Sequence, residues 1–155
     1  MVDANRLAEL SSVAQELNVR SNRLNNYIEQ VNKALAKANV GIEYYSPRPL
    51  VTTGRRKGDG DVQPDYEQET FLGFDKIEDE WQLALKEVYT EYRYDHDARE
   101  EVPVTDETNT PLTDASRDLR LSAIEELDDL VEELTAAARR KLKVIERAEK
   151  LASGK

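Results

Sequence analysis

Thr70-Phe71-Leu72-Gly73-Phe74 and Trp81-Gln82-Leu83-Ala84-Leu85, joined through Ile77-Glu78-Asp79-Glu80, decide the fold of this chain. Apolar and polar residues alternate on both sides of an acidic centre, and period-two alternation around a short polar break is the pattern of an antiparallel hairpin. The spacing predicts strands at 69–77 and 80–93. Along the second strand the apolar phase moves from 81, 83 and 85 to 88, 92 and 94. A slip of one residue is what a β-bulge produces, so one is expected near Lys86-Glu87.

Upstream of the hairpin, Val40, Ile42 and Tyr44 alternate with Gly41, Glu43 and Tyr45, which gives a first strand at 40–46 that Pro47 and Pro49 interrupt. Two segments read as loops. Residues 53–68 open on three glycines amid charged side chains, and with no apolar residue before Val62 this segment is expected to be mobile. Residues 94–113 combine acids, threonines, Pro103 and Pro111 without periodicity, which predicts a covering loop.

Further out, the pattern changes to period 3.6. Leu7, Leu10, Ala14, Leu17, Ser21, Leu24, Ile28, Val31 and Leu35 are spaced alternately by three and four, with Ser21 the one polar member. Asp3 is a suitable N-cap, and Asn39 and Gly41 tolerate the left-handed backbone that ends a helix, so a helix is predicted over 4–38. At 1.5 Å per residue it is roughly 50 Å long, more than one small sheet can cover. After Thr113 and Asp114, either of which can cap, Ile124, Leu127, Val131, Leu134, Ala138, Lys141, Ile145 and Ala148 repeat the spacing and predict a helix over 115–151. The expected fold is therefore α+β in one domain spanning 1–155: a long helix, a three-stranded antiparallel meander within 40–93 and a second long helix, α-β-β-β-α, with both helices on one sheet face. Trp81, Leu83, Leu85, Leu24, Ile28, Val31, Leu127, Val131 and Leu134 are the expected core.

Charge narrows the function. The 155 residues carry a net charge of -10, and 35% of them are charged. Between Asp61 and Glu101 there are 14 acids and 4 bases, while the rest of the chain is balanced. An acidic chain of this kind is unsuited to coating nucleic acid or an anionic membrane. With no cysteine, disulfide scaffolds, thiolate zinc sites and cysteine nucleophiles are excluded. Residues 1–6 lack a basic-then-apolar leader pattern and no apolar run is long enough to cross a bilayer, so a cytoplasmic protein is expected.

Catalytic and metal motifs fail on inspection. His96, the only histidine, lies between Asp95 and Asp97, yet a metal there would need carboxylates that the sequence does not single out. Residues 59–70 begin like a calcium loop but place Pro64 where the sharp turn needs glycine and Thr70 where a bidentate glutamate belongs. Gly54-Arg55-Arg56-Lys57-Gly58 lacks the glycine and Lys-Ser/Thr order of a phosphate loop. No Gly-x-Ser-x-Gly nucleophile elbow exists. No cofactor is expected, and an enzyme is not the default.

What remains is a binding role. Acids interleaved with aromatics suit recognition of a protein with a basic surface, and Glu78, Asp79, Glu80, Tyr89, Tyr92 and Tyr94 are the candidate contact residues. The three–four repeat of the first helix, unbroken in spacing from Leu7 to Leu35, predicts a homodimer through coiled-coil pairing. In the last helix, 118–133 holds seven acids and one base and 134–150 six bases and two acids. The helix macrodipole acts only within the terminal turns, whereas an antiparallel copy of the same helix matches these blocks over their whole length. The expected function is a non-enzymatic accessory protein that self-associates through its helices and offers its acidic sheet to a partner. The alternative is an acidic inhibitor or immunity-type protein that mimics nucleic-acid charge to block a basic enzyme.

Overall fold

The computed structural model describes residues 1–55 and 65–154. A helix, α1 (Ala4–Ala38), leads into the edge strands β1 (Tyr44–Tyr45) and β2 (Val51–Arg55). Long strands β3 (Asp65–Ile77), β4 (Glu80–Asp95) and β5 (Glu100–Pro111) follow, then a 3-10 turn at Leu112–Asp114, α2 (Arg117–Glu125) and α3 (Leu127–Ala152). The class is α+β, and the sheet has five strands rather than three.

The predicted boundaries of α1 hold because its caps are local. Asp3 accepts the Asn5 N–H at 3.0 Å, and Asn39 adopts the left-handed conformation at φ 52° with its N–H on the Ala36 carbonyl. β1 and β2 are two pieces of one edge. Both pair with β3, and between them the Ser46 N–H reaches the Leu72 carbonyl at 2.8 Å and the Leu50 N–H the Thr70 carbonyl at 2.7 Å. Pro47 and Pro49 lack N–H groups, so the pairing shrinks to two residues where 40–46 was expected, and proline at an edge costs no inner ladder bond.

Register corrects the expected bulge. β3 and β4 pair without a break from Asp65 opposite Tyr92 to Ile77 opposite Glu80, with Lys86 opposite Phe71 and Glu87 opposite Thr70. The change of apolar phase has another cause: the core lies under only one end of the sheet. There Leu72, Phe74, Leu83 and Leu85 are buried, whereas further along β4 residues on both faces are largely open and alternation ceases to report burial.

The remaining differences have the same kind of origin. The expected loop 94–113 is largely β5, which pairs with β4 from Ala84 opposite Pro111 to Asp95 opposite Glu100. Exposed along most of its length at the sheet edge, it can be acidic and threonine-rich and can hold Pro103. The expected mobile loop 53–68 contributes 53–55 to β2 and 65–68 to β3, while 56–64 lies outside the described residues. Gly54 belongs to this pairing, since a Cβ there would sit 2.8 Å from the Tyr66 carbonyl oxygen. The expected helix 115–151 is two helices divided at Glu126 (φ -102°, ψ 0°), and its N-cap is Ser116, which accepts the Leu119 N–H at 3.4 Å, rather than Thr113 or Asp114. The break lets Ala123 of α2 and Leu127 and Leu130 of α3 all enter the core.

That core joins Ile28, Leu72, Leu83, Leu85, Leu112, Ala123, Leu127 and Leu130, with Val31 and Leu35 packed against it, and Trp81 stacks on Phe74 at 5.6 Å between centroids. One expected core member is misplaced: Val131 is 40% exposed, because α3 turns Leu127, Leu130 and Leu134 inward instead.

Candidate interaction surface

Among the described residues, four places carry exposed or clustered side chains: the exposed lengths of α1 and α3, the tip of the β3–β4 hairpin, the far end of the sheet, and the sheet face away from the helices.

The α1 stripe is buried at Ile28 and half-buried at Leu24, Val31 and Leu35, but no described residue buries its earlier turns, where Leu7, Leu10 and Leu17 are exposed, Leu10 by 63%. Ser21, the polar member of the stripe, is buried where α2 crosses. Arg117 donates to Asn18 at 3.0 Å and Arg120 donates to Asn25, one on either side of Ser21, so a small residue there lets α2 approach. In α3 every residue from 139 to 152 is exposed, including Leu142, Val144, Ile145 and Leu151.

The six candidate contact residues do not form one patch. Glu78 and Asp79 are the two central residues of the hairpin turn, both with positive φ (51° and 66°), and Glu80 begins β4. Tyr92 and Tyr94 lie at the opposite end of β4, about 45 Å away at the usual rise per residue. The tyrosines are divided too. Tyr89 shares the helix-side face with Tyr66 and stacks on it at 5.7 Å, whereas Tyr92 and Tyr94 point to the other face by strand alternation. Tyr94 meets the ring of His96 edge-on at 5.0 Å. Asp65, Glu67, Glu91, Asp95 and Glu101 surround these tyrosines in the paired strands. A cavity of about 590 Å³ lies at this end, lined by Thr52, Gly54, Tyr66, Glu67 and Tyr92 among others. Beside the hairpin tip, a second cavity of about 330 Å³ is lined by Leu35, Val40, Phe74, Glu80 and Trp81.

The helix-free face holds a cluster that the sequence reading missed. Tyr45 lies over Gly73, where a Cβ would overlap the tyrosine ring and the Tyr44 carbonyl. Its hydroxyl donates to Asp75 Oδ2 at 2.7 Å, Asn109 Nδ2 donates to the same oxygen at 3.2 Å, and the Lys76 N–H donates to Oδ1 at 2.7 Å. Lys86 Nζ stands 4.2 Å from the Tyr45 ring centroid. Burial first, then the hydrogen bond to Asp75 and the charges of Asp75 and Glu43, push the Tyr45 hydroxyl well above the usual tyrosine range. With both carboxylate oxygens engaged, the cluster is a clasp that fixes the edge strand, and the one signal for it was a glycine inside a strand. On the other side, Tyr44 donates to Glu133 Oε2 at 3.1 Å, and Arg48 pairs with Glu133 at 2.8 Å and Asp129 at 3.6 Å, tying α3 to the sheet edge.

Among the described residues no group of three or more His, Asp or Glu side chains is arranged to hold a metal ion, and no helix is long and apolar enough to cross a membrane. Compared with protein-family models, with curated proteins and with solved structures, the chain matches none of them.

Proposed function

We propose that the protein is a non-enzymatic accessory protein that self-associates through the free lengths of its helices and offers the far end of its sheet to a protein partner with a basic surface. The observation that carries this reading is the exposed apolar stripe of α1: the side chains that reach the core at Ile28, Val31 and Leu35 continue back through Leu17, Leu10 and Leu7, which no described residue buries. An apolar stripe of that length left in water is an interaction surface or an aggregation site. The partner half of the reading is supported by exposed Tyr89, Tyr92 and Tyr94 among carboxylates, since tyrosine supplies large contact area and the acids select a basic counterpart.

Light scattering after size exclusion tests the self-association. At tens of micromolar the mass should be twice the 17.7 kDa of the chain. A monomer mass over that range overturns the reading. Partner capture abolished by modest salt and insensitive to loss of Tyr92 and Tyr94 would instead favour the inhibitor that mimics nucleic-acid charge, because an interface held by charge alone is screened within a Debye length.

A further inference from the structure

The free end of α3 carries a row of cations. Arg139, Lys143, Arg147 and Lys150 follow one another at spacings of four, four and three, which keeps them on one side of the helix over about 16 Å. All four are exposed, and among the described residues none takes part in an ion pair. Of the two acids in these turns, Glu146 lies at the margin of the row and Glu149 beyond it.

The matching surface is on the same chain, at the far end of the sheet and on the face turned away from the helices. Val88, Thr90, Tyr92 and Tyr94 stand in line there on β4, with Glu67 and Glu69 of β3 on one side and Glu101 and Glu107 of β5 on the other. Cross-strand pairing puts them on one face: Val88 lies between Glu69 and Glu107, Thr90 between Glu67 and Thr105, and Tyr94 opposite Glu101. The Thr90 and Thr105 hydroxyls are 3.4 Å apart, as residues sharing a face should be. The two acidic rows are two strand spacings apart, about 10 Å, and the stretch from Val88 to Tyr94 is about 20 Å long. That is the width of one helix and the length of the cation row. Glu67, Glu101 and Glu107 are exposed, Glu69 is half-buried, and among the described residues none of the four is in an ion pair. The next cation along this face of β4, Lys86, stands over the Tyr45 ring instead.

We infer that the cation row of α3 seats on this sheet face of a second copy, the helix lying along β4 between the two acidic rows. The inference rests on the self-association proposed above and joins its two halves, since the basic partner of the sheet becomes the free helix end of another copy. At 100° per residue Arg139 and Lys150 lean to one side of the row and Arg147 to the other, so a single helix reaches both rows of acids. Tyr92 and Tyr94 between them offer ring faces to the cations and apolar surface to the aliphatic stems. In a two-fold pair the contact is made twice, and each copy uses both its row and its face. A phosphate backbone fits the row less well. On the same side of α3 the preceding positions are Asp129 and Glu132, so nucleic acid following the helix would meet acids.

Exchanging the charges tests the pairing. One variant combines Arg139→Glu, Lys143→Glu, Arg147→Glu and Lys150→Glu; the other combines Glu67→Lys, Glu101→Lys and Glu107→Lys. Each alone sets like charges against each other and should weaken the wild-type dimer about tenfold or more, read by light scattering across a dilution series. An equimolar mixture sets opposite charges at both contacts and should return the dimer mass. All seven positions are exposed, and circular dichroism checks that each variant keeps the wild-type spectrum. Should the fourfold change lower helicity, Arg147→Gln with Lys150→Gln should weaken the dimer in the same direction. A wild-type dimer that persists undiminished in the helix variant overturns the inference and leaves self-association to another surface such as the α1 stripe. Two weakened variants whose mixture stays monomeric also overturn it, because the two surfaces then do not meet. A monomeric wild type removes the self-association itself and this pairing with it, and if that monomer shifts duplex DNA through the same four cations, the row belongs to nucleic acid.

Discussion

Asn32 Oδ1 accepts the backbone N–H of Leu83 at 2.8 Å, so a side chain of α1 occupies the ladder position that β5 vacates when it stops at Pro111. Leu83 is fully buried in β4, and without Asn32 its N–H would have neither strand nor water. Asn32→Ala should therefore cost about 1–3 kcal/mol, the penalty for an unsatisfied buried donor. For a chain of this length each kilocalorie lowers the melting temperature by roughly 2–4 °C, readable by circular dichroism. Asn32→Asp keeps an acceptor and should recover much of the loss; equal losses in the two variants would show that the bond contributes little.

The β3–β4 turn is built from residues that suit it badly. Glu78 and Asp79 both have positive φ and are enclosed by the Ile77–Glu80 pair, the geometry of a type I′ hairpin whose favoured sequence is Asn-Gly. Left-handed backbone costs an ordinary L-residue about 1–2 kcal/mol. Replacing Glu78→Asn together with Asp79→Gly should raise stability by about 1 kcal/mol and the melting temperature by roughly 2–4 °C. An unchanged or lower melting temperature would mean that the strain is relieved by contacts of the two acids.

These two features mark what the sequence can and cannot disclose. The bounds of α1 and the hairpin centre were legible because caps, a two-residue turn and burial act within a few positions. Helical periodicity from Leu24 to Leu35 named the face that packs, yet the same periodicity from Leu7 to Leu17 looks identical and stays exposed among the described residues. Strand β5 was hidden because a doubly exposed edge has no alternation to detect. The division at Glu126 was hidden for a different reason: it contains no proline or glycine and is set by the need to bring Ala123 and Leu127 to one core. Of the candidate contact residues, composition identified the types but not the distance between the hairpin tip and Tyr94, since a 16-residue strand separates what the sequence presents as one acidic aromatic segment.

Tyr45 links the helix-free face to pH. Its hydroxyl is held above its ordinary value of 10, so the folded state retains a proton that the unfolded chain releases. The stabilisation is fully present below pH about 10 and is lost as the pH rises beyond it. Tyr44, raised by burial and then by its hydrogen bond to Glu133, acts in the same direction. Urea unfolding of the wild type should show stability falling above pH about 10, and Tyr45→Phe should flatten that fall while costing about 0.5–1.5 kcal/mol at neutral pH, the usual worth of one hydrogen bond. A Tyr45→Phe variant with the wild-type pH profile would place the alkaline loss elsewhere.

The separation of the two acidic regions makes the partner surface decidable. Glu78, Asp79 and Glu80 sit at one end of β4, and Tyr92 and Tyr94 with Asp65, Glu91 and Asp95 at the other. One partner of ordinary size covers about 800 Å² on each side, too little to reach both ends. With the far end as the contact, Tyr92→Ala combined with Tyr94→Ala should reduce capture from a cell extract at least tenfold, since interfacial tyrosines are typical anchors worth 1–2 kcal/mol or more each. The melting temperature should hardly move, because Tyr94 is 54% exposed and both tyrosines lie away from the core cluster. Reversing Glu78, Asp79 and Glu80 to lysine should then leave capture unchanged, and raising salt should weaken the wild-type interaction in proportion to the carboxylates at the far end. If instead the lysine variant loses the captured protein while the tyrosine variant keeps it, the docking surface is the hairpin tip with its Trp81-lined cavity, and the far end of the sheet is only a solubilising edge.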